Sequence, residues 1–260
     1  MEISAGLEAI FRWIHILVGI LWIGHLYFFN FVNGPLQAKL DGPTKKSVNP
    51  ELMPRALFWF RWGAAWTWIT GVVLLGMVFY MGGQAVNDRF TAGSYVMIAV
   101  TFLAVFVYDA LFKSSLANNI KAASSVAFVL LAIVVAGFVY FGNFSYRGTL
   151  IHTGALFGTV MAFNVWFRIW PAQQKIIRAV KEGTAPDANL VKVAGLRSRQ
   201  NTYLSVPLLW AMINFHTTFY AGGNLNIPGQ WFWLAWLGII LIGWHIVFQL
   251  YKKAGKVQGF

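Results

Sequence analysis

The chain has 260 residues, of which 58% are hydrophobic and only 11% charged, with a formal net charge of +12. Soluble domains carry roughly a quarter charged residues, so this composition excludes an ordinary soluble protein and identifies an integral membrane protein. The absence of cysteine excludes disulfides, thiolate metal sites and covalent CxxCH haem attachment.

A membrane helix needs about 20 mostly apolar residues. Seven segments qualify: 9–32, 56–80, 94–112, 122–141, 150–170, 203–220 and 231–251. The expected fold is therefore all-α, a single domain built as a bundle of about seven transmembrane helices. The first segment is too long for a signal peptide and lacks a small-residue cleavage site, so it reads as a retained helix. The 33–55 connection contains Pro35, Pro43, Pro50 and Pro54. Later turns are marked by MGGQ, FGNFSYRG and AGGNLNIPGQ. The longest connection, 171–202, reads as two short amphipathic helices at the membrane surface, PAQQKIIRAVKEG and DANLVKVAGLRSRQ.

The positive-inside rule orients the bundle with its N-terminus outside and its C-terminus in the cytoplasm. That choice places seventeen of the 20 Lys and Arg on the inner side and leaves only Arg12, Arg89 and Arg147 outside. The positive charge is then a sorting signal and a contact for anionic membrane lipid. Nucleic-acid binding is excluded, because no soluble basic domain exists to carry it.

All five histidines, His15, His25, His152, His216 and His245, fall inside expected spans and are expected to be buried. With this topology they form two layers: His15, His152 and His216 near the outer surface, His25 and His245 near the inner one. Ten residues separate His15 from His25, about 15 Å along a helix axis. Imidazoles at two depths on facing helices are what non-covalent haem requires. A porphyrin also needs small residues beside its ligands. Gly19 lies one turn from His15, Gly238 lies two turns from His245, and Gly154 and Gly158 follow His152. Arg12 on the outside and Arg61 or Arg168 on the inside supply cations for the propionates. The alternative for any single histidine is interhelical hydrogen bonding. The set favours ligation, since intramembrane ionisable residues mark function by default.

Two segments carry a family resemblance: RWIHILVGILWIGHLYFFNFVNGPLQ, and the PELMPRALFWFRWGAAWTWITGVVLL that follows its loop. Together they resemble the membrane domain of the bacterial cytochrome-c-linked urate oxidases, or urate hydroxylases. The resemblance implies a multi-pass protein of the bacterial inner membrane with a cytochrome c domain at the C-terminus. It further implies oxidation of urate to 5-hydroxyisourate, with electrons leaving through the cytochrome. Here the sequence ends at KKAGKVQGF without CxxCH, so the expected acceptor is a separate cytochrome c or a respiratory-chain subunit. A more distant resemblance to the protoporphyrinogen-oxidising family of small haem-binding membrane proteins points to the same chemistry.

Other polar residues constrain the mechanism. Asp109 is the only acid inside an expected span. It reads as half of an ion pair closing the inner end of the bundle, beside Arg61 and Arg168, or as a proton entry point. Asn164, Asn214 and Thr217 are expected to hydrogen-bond between helices. Met161 and Met212 read as packing, with axial thioether ligation the alternative. Trp62, Trp66 and Trp68 also read as packing.

The expectation is thus a protein binding one or two haem b. His25 pairs with His245 at the inner level, and His15 pairs with His152 or His216 at the outer level. The leading function is a urate-oxidase-like membrane oxidoreductase. The alternatives are a haem-bearing electron-transfer subunit without its own substrate, and a transporter or channel. A transporter predicts helices broken near the midplane, which only Pro207 hints at.

Overall fold

The structure is a computed structural model and describes residues 2–216 and 231–257. Among them it is helical throughout, apart from turns and an isolated bridge between Val86 and Phe144. The helices are α1 (Glu2–Tyr27), α2 (Gly34–Lys39), α3 (Gly42–Leu74), α4 (Ala92–Leu111), α5 (Ile120–Tyr140), α6 (Tyr146–Asn164), α7 (Trp170–Glu182), α8 (Ala188–Asn214) and α9 (Phe232–Ala254).

Three stretches of π-helix interrupt this order. Phe28–Asn33 joins α1 to α2, Leu75–Met81 extends α3, and Val165–Ile169 joins α6 to α7. Continuous helices therefore run from Ala5 to Lys39, Gly42 to Met81 and Tyr146 to Glu182. The first has 35 residues. At 1.5 Å per residue that is about 50 Å, well beyond a hydrocarbon core of about 30 Å.

Among the described residues six helices are long and apolar enough to cross a membrane, so the chain is a multi-pass membrane protein. They match six of the seven expected segments. The seventh, 203–220, needs correction. It begins inside α8, which starts at Ala188 with a polar half, and its last four residues lie outside the described ones. The 171–202 connection is also corrected. Its first half is a helix as expected, α7, but follows directly from α6 through the π-helical turn; its second half is not a short helix but the start of α8, after a break at 183–187. Gly183, at φ 77°, supplies the left-handed residue that ends α7.

The proline-rich connection before α3 is largely helical. Pro43 falls in the first turn, where a missing N–H costs nothing. Pro50 and Pro54 lie inside the helix, four residues apart and so on one face. Asp41 caps this start: its Oδ1 accepts the Thr44 N–H at 2.8 Å. Hydrogen bonds from Thr44, side chain first and then backbone, hold the Asp41 carboxyl below its ordinary value. A depressed carboxyl stabilises the fold above its unfolded pKa and ceases to as pH falls through the folded one. Amide exchange in the first turn of α3 is accordingly expected to accelerate below about pH 4. Asp41→Asn should weaken that pH dependence.

The chain divides into two compact units. Unit 1 comprises residues 1–71, 161–206 and 243–260; unit 2 comprises 72–160 and 207–242. In unit 1, α1 and α3 meet at Gly63, where a Cβ would lie 3.1–3.3 Å from the backbone and Cβ of Trp22. Trp22, Leu26, Phe60 and Met161 are fully enclosed there. Ile10, Trp13, Ile16, Leu17 and Ile20 are exposed along α1, as suits a lipid-facing stripe. In unit 2, α4 opens with a reciprocal capping box between Thr91 and Ser94. The Ser94 hydroxyl also donates to the Gly142 carbonyl at 2.8 Å, tying α4 to the end of α5. Phe138, Phe144, Phe157 and Trp236 fill this unit's core.

Candidate functional site

Four of the five histidines share one protonation pattern, which their partners decide. In α1, His25 Nδ1 lies 2.6 Å from the Leu21 carbonyl. A carbonyl only accepts, so Nδ1 carries the proton and Nε2 keeps its lone pair. In α6, His152 Nδ1 donates to the Gly148 carbonyl at 2.7 Å in the same way. His15 Nδ1 lies 3.0 Å from Thr70 Oγ1. That hydroxyl donates to the Trp66 carbonyl at 2.6 Å, so it accepts from His15. Gln249 Nε2 donates to His245 Nε2 at 3.0 Å, again making Nε2 the acceptor. Neutral imidazole with Nδ1 anchored and Nε2 bare is the form that binds a metal.

The expected uniform burial of the histidines is corrected. Only His152 is buried, at 0% exposure. His15 and His25 are half-buried, while His245 and His216 are exposed, the latter in the turn after α8 against Phe215. Helical periodicity explains the difference, since consecutive turns of a span alternate between neighbouring helices and lipid.

His152 also differs in what occupies its Nε2. The Tyr80 hydroxyl sits 3.0 Å away and donates to it. Phe138 and Phe144 crowd the same imidazole, with ring centroids 5.9 and 4.3 Å distant. Both ring nitrogens of His152 are therefore satisfied by protein. In His15 and His25 it is Nδ1 that meets the Thr70 hydroxyl and the Leu21 carbonyl.

Unit 1 also contains a polar network of which sequence reading found only Asn164. Asn30, in the first π-helical stretch, donates to Ser198 Oγ at 2.8 Å and accepts from Tyr251 at 2.8 Å. Tyr27 meets Ser205 at 3.0 Å. Asn164 donates to Asn201 Oδ1 at 2.8 Å, and Asn201 donates to the Met161 carbonyl at 2.9 Å. Arg197, Asn201 and Ser205 recur every four residues along α8 and are at most 2% exposed. The four-residue repeat of polar side chains was legible, but it lay in a segment assigned to the membrane surface. Arg61 Nε, Asn164 Oδ1 and Gln200 Nε2 of this unit are among the polar atoms buried without a hydrogen bond.

The remaining expected residues fall as follows. Arg12 pairs with Glu8 at 2.7 Å. The Arg61 guanidinium lies over the Trp170 ring, 4.0 Å from its centroid. Arg168 lies over Phe163 and donates to the Phe167 carbonyl. A Cβ on Gly19 would meet only Thr67 at 3.9 Å, and one on Gly238 would meet nothing. Gly154 instead serves helix packing, since a Cβ there would come within 2.9 Å of Met212 and 3.1 Å of Ala211. Gly158 faces Leu208. Met161 is fully buried.

Asp109 does form an ion pair, with Lys113 at 2.9 Å, one turn along its own helix. Asn164 bonds across helices as expected. Asn214 donates within α8, to the Trp210 carbonyl, and Thr217 lies outside the described residues. Trp62 packs edge-on against Trp166 with ring centroids 5.4 Å apart, as expected, while Trp62, Trp66 and Trp68 each remain 39–50% exposed. Among the described residues no group of three or more His, Asp or Glu could hold a bare metal ion.

A family model described as urate oxidase N-terminal matches residues 40–258. The match spans α3 to α9 and includes His152, His216 and His245. It begins after His15 and His25. No curated protein and no solved structure matches the chain.

Proposed function

Because the chain belongs to the urate oxidase N-terminal family, we propose that it is a haem-b-binding membrane oxidoreductase that oxidises urate and passes the electrons to a separate cytochrome c. The balance is urate plus water giving 5-hydroxyisourate, two protons and two electrons. The electrons leave singly, to two oxidised cytochromes. Haem supplies the one-electron steps that join a two-electron donor to a one-electron acceptor.

The observation that carries this reading is the anchoring of His15 and His25 through Nδ1, the tautomer whose Nε2 lone pair suits iron. His25 with His245 remains the leading ligand pair, with His15 the candidate at the second level. Tyr80 holds the Nε2 of fully buried His152, whereas the Gln249 amide that meets the Nε2 of His245 does so on an exposed face. Arg61 fits a propionate anchor. Its guanidinium is oriented by stacking on Trp170, and its buried Nε has no acceptor. The Asn164 acceptor and Gln200 donor left unmatched nearby in sequence to the buried network are the groups with which a purine's N–H and C=O edges pair. The proposed setting is the bacterial inner membrane, N-terminus outside, with the basic loops on the cytoplasmic side.

Protein purified after expression with ample haem should show a b-type reduced-minus-oxidised spectrum and one or two haems by pyridine haemochrome. Addition of urate and oxidised soluble cytochrome c should give cytochrome reduction that depends on both. Haem without urate-dependent reduction would leave an electron-transfer subunit. A haem-free protein would overturn the redox reading.

A further inference from the structure

We propose that the outward face of α9 is the interface of a homodimer, in which the His245–Gln249 pair of each copy hydrogen-bonds to that of the other. Along α9, Trp236, Ile240 and Val247 are fully buried. His245 and Gln249 lie on the opposite side of the helix, and both are exposed. The helix runs from Phe232 to Ala254, with its midpoint at Gly243. His245 is about 3 Å from that midpoint along the axis and Gln249 about 9 Å. A hydrocarbon core reaches about 15 Å to either side of its midplane. Both polar side chains therefore fall within the depth of the lipid.

Lipid tails offer no hydrogen bond, so polar side chains at that depth pair with one another or are covered by protein. This pair satisfies itself only in part. Gln249 Nε2 meets His245 Nε2 at 3.0 Å. His25 and His152 bond through Nδ1 to the carbonyl one turn back. Among the described residues His245 Nδ1 and Gln249 Oε1 make no hydrogen bond. One is a donor and the other an acceptor, and exchanging the tautomer while turning the amide over still leaves one of each. A single helix thus carries both halves of a bond, as a two-fold interface between identical subunits requires. The spacing agrees. Leu234, Gly238, Leu241, His245 and Phe248 recur at alternating intervals of four and three residues, the seam of a left-handed helix pair. The three apolar side chains of that seam are exposed, and a Cβ on Gly238 would meet nothing, which leaves room for a second backbone. Iron at His245 Nε2 would leave Nδ1 a donor, so the interface is independent of the haem reading.

The test reconstitutes the full-length protein in phosphatidylcholine vesicles at falling protein density and counts subunits by single-molecule photobleaching. Wild type is expected to be a dimer that dissociates on dilution. Gln249→Leu should weaken it about 10-fold, the loss of two symmetry-related interhelical hydrogen bonds. Gln249 is chosen because His245 is also a candidate iron ligand, and its exposure lets leucine replace it without disturbing the fold. The chain contains no cysteine, so a single introduced one reports contact between copies. Oxidised Leu241→Cys should give a disulfide-linked pair at twice the mass. Trp13→Cys, on the exposed stripe of α1, should not. A wild type that stays monomeric at every density overturns the proposal and leaves the face to lipid or to a different subunit. A dimer that ignores Gln249→Leu and fails to crosslink through Leu241→Cys overturns it too, by placing the contact elsewhere.

Discussion

Gly148→Ala is expected to destabilise unit 2 by about 3 kcal/mol or more, at the upper end for overpacking. Gly148 lies in the first turn of α6, against the chain around Ala85. A Cβ there would overlap the Ala85 carbonyl oxygen and lie 2.8 Å from its carbon and 3.1 Å from its Cα. All three are backbone atoms, so no side-chain rotation relieves the clash. The segment cannot retreat without further loss. The Ser145 N–H donates to the Ala85 carbonyl at 2.9 Å, and the Ser145 hydroxyl donates to the Gln84 carbonyl at 2.8 Å. The Gly148 carbonyl also receives His152 Nδ1–H, so the same change disturbs the Tyr80–His152 pair. Thermal unfolding in detergent, with hydrogen exchange along the start of α6, measures the effect. A variant within about 0.5 kcal/mol of wild type, the range of ordinary surface substitutions, would show that the two segments are not in this contact.

Asn201→Ala should destabilise unit 1 by about 2–4 kcal/mol, because it strands two enclosed polar groups at about 1–3 kcal/mol each. Asn201 is fully buried and joins α8 to α6 through the Asn164 amide and the Met161 carbonyl. The Asn164 Oδ1 atom already has no partner, so the substitution leaves that whole amide unmatched. Hydrogen bonds between membrane helices average only about 0.6 kcal/mol, since the separated helices find other partners. The larger value is expected here because neither amide can reach water or a headgroup. Replacing both residues by leucine should recover part of the loss, since only the Met161 carbonyl then lacks its side-chain donor. Unfolding by SDS titration decides it. A loss near 0.6 kcal/mol for Asn201→Ala would place this pair with ordinary membrane hydrogen bonds.

Much of the architecture was legible in the chain. Six apolar runs stand out because lipid demands about 20 apolar residues in succession, and each became a helix. The ends of those helices were less legible. A helix leaving the membrane becomes polar without stopping, so composition changes where structure does not. That is why α8 was expected to start near residue 203 when it starts at Ala188, and why Pro50 and Pro54 were read as a connection when they lie in α3.

The candidate site divides in the same way. Asn164 as an interhelical bond followed from residue type and position alone. Which nitrogen each histidine offers did not, because it depends on partners distant in the chain: Thr70 lies 55 residues from His15, and Tyr80 lies 72 residues from His152. The polar face of α8 escaped notice for the same reason. Arg197, Asn201 and Ser205 are ordinary surface residues until the groups that enclose them, from Tyr27 to Tyr251, are brought alongside.

The sequence by itself determined the solvent of this protein, its helical class and its family, since these depend on composition, run length and local residue order. Tertiary structure alone decided which histidine is enclosed, which keeps a bare Nε2, and where polar atoms are left unmatched. Burial and hydrogen-bond partnership arise between helices, and a single helix, whatever its pattern, does not specify its neighbours.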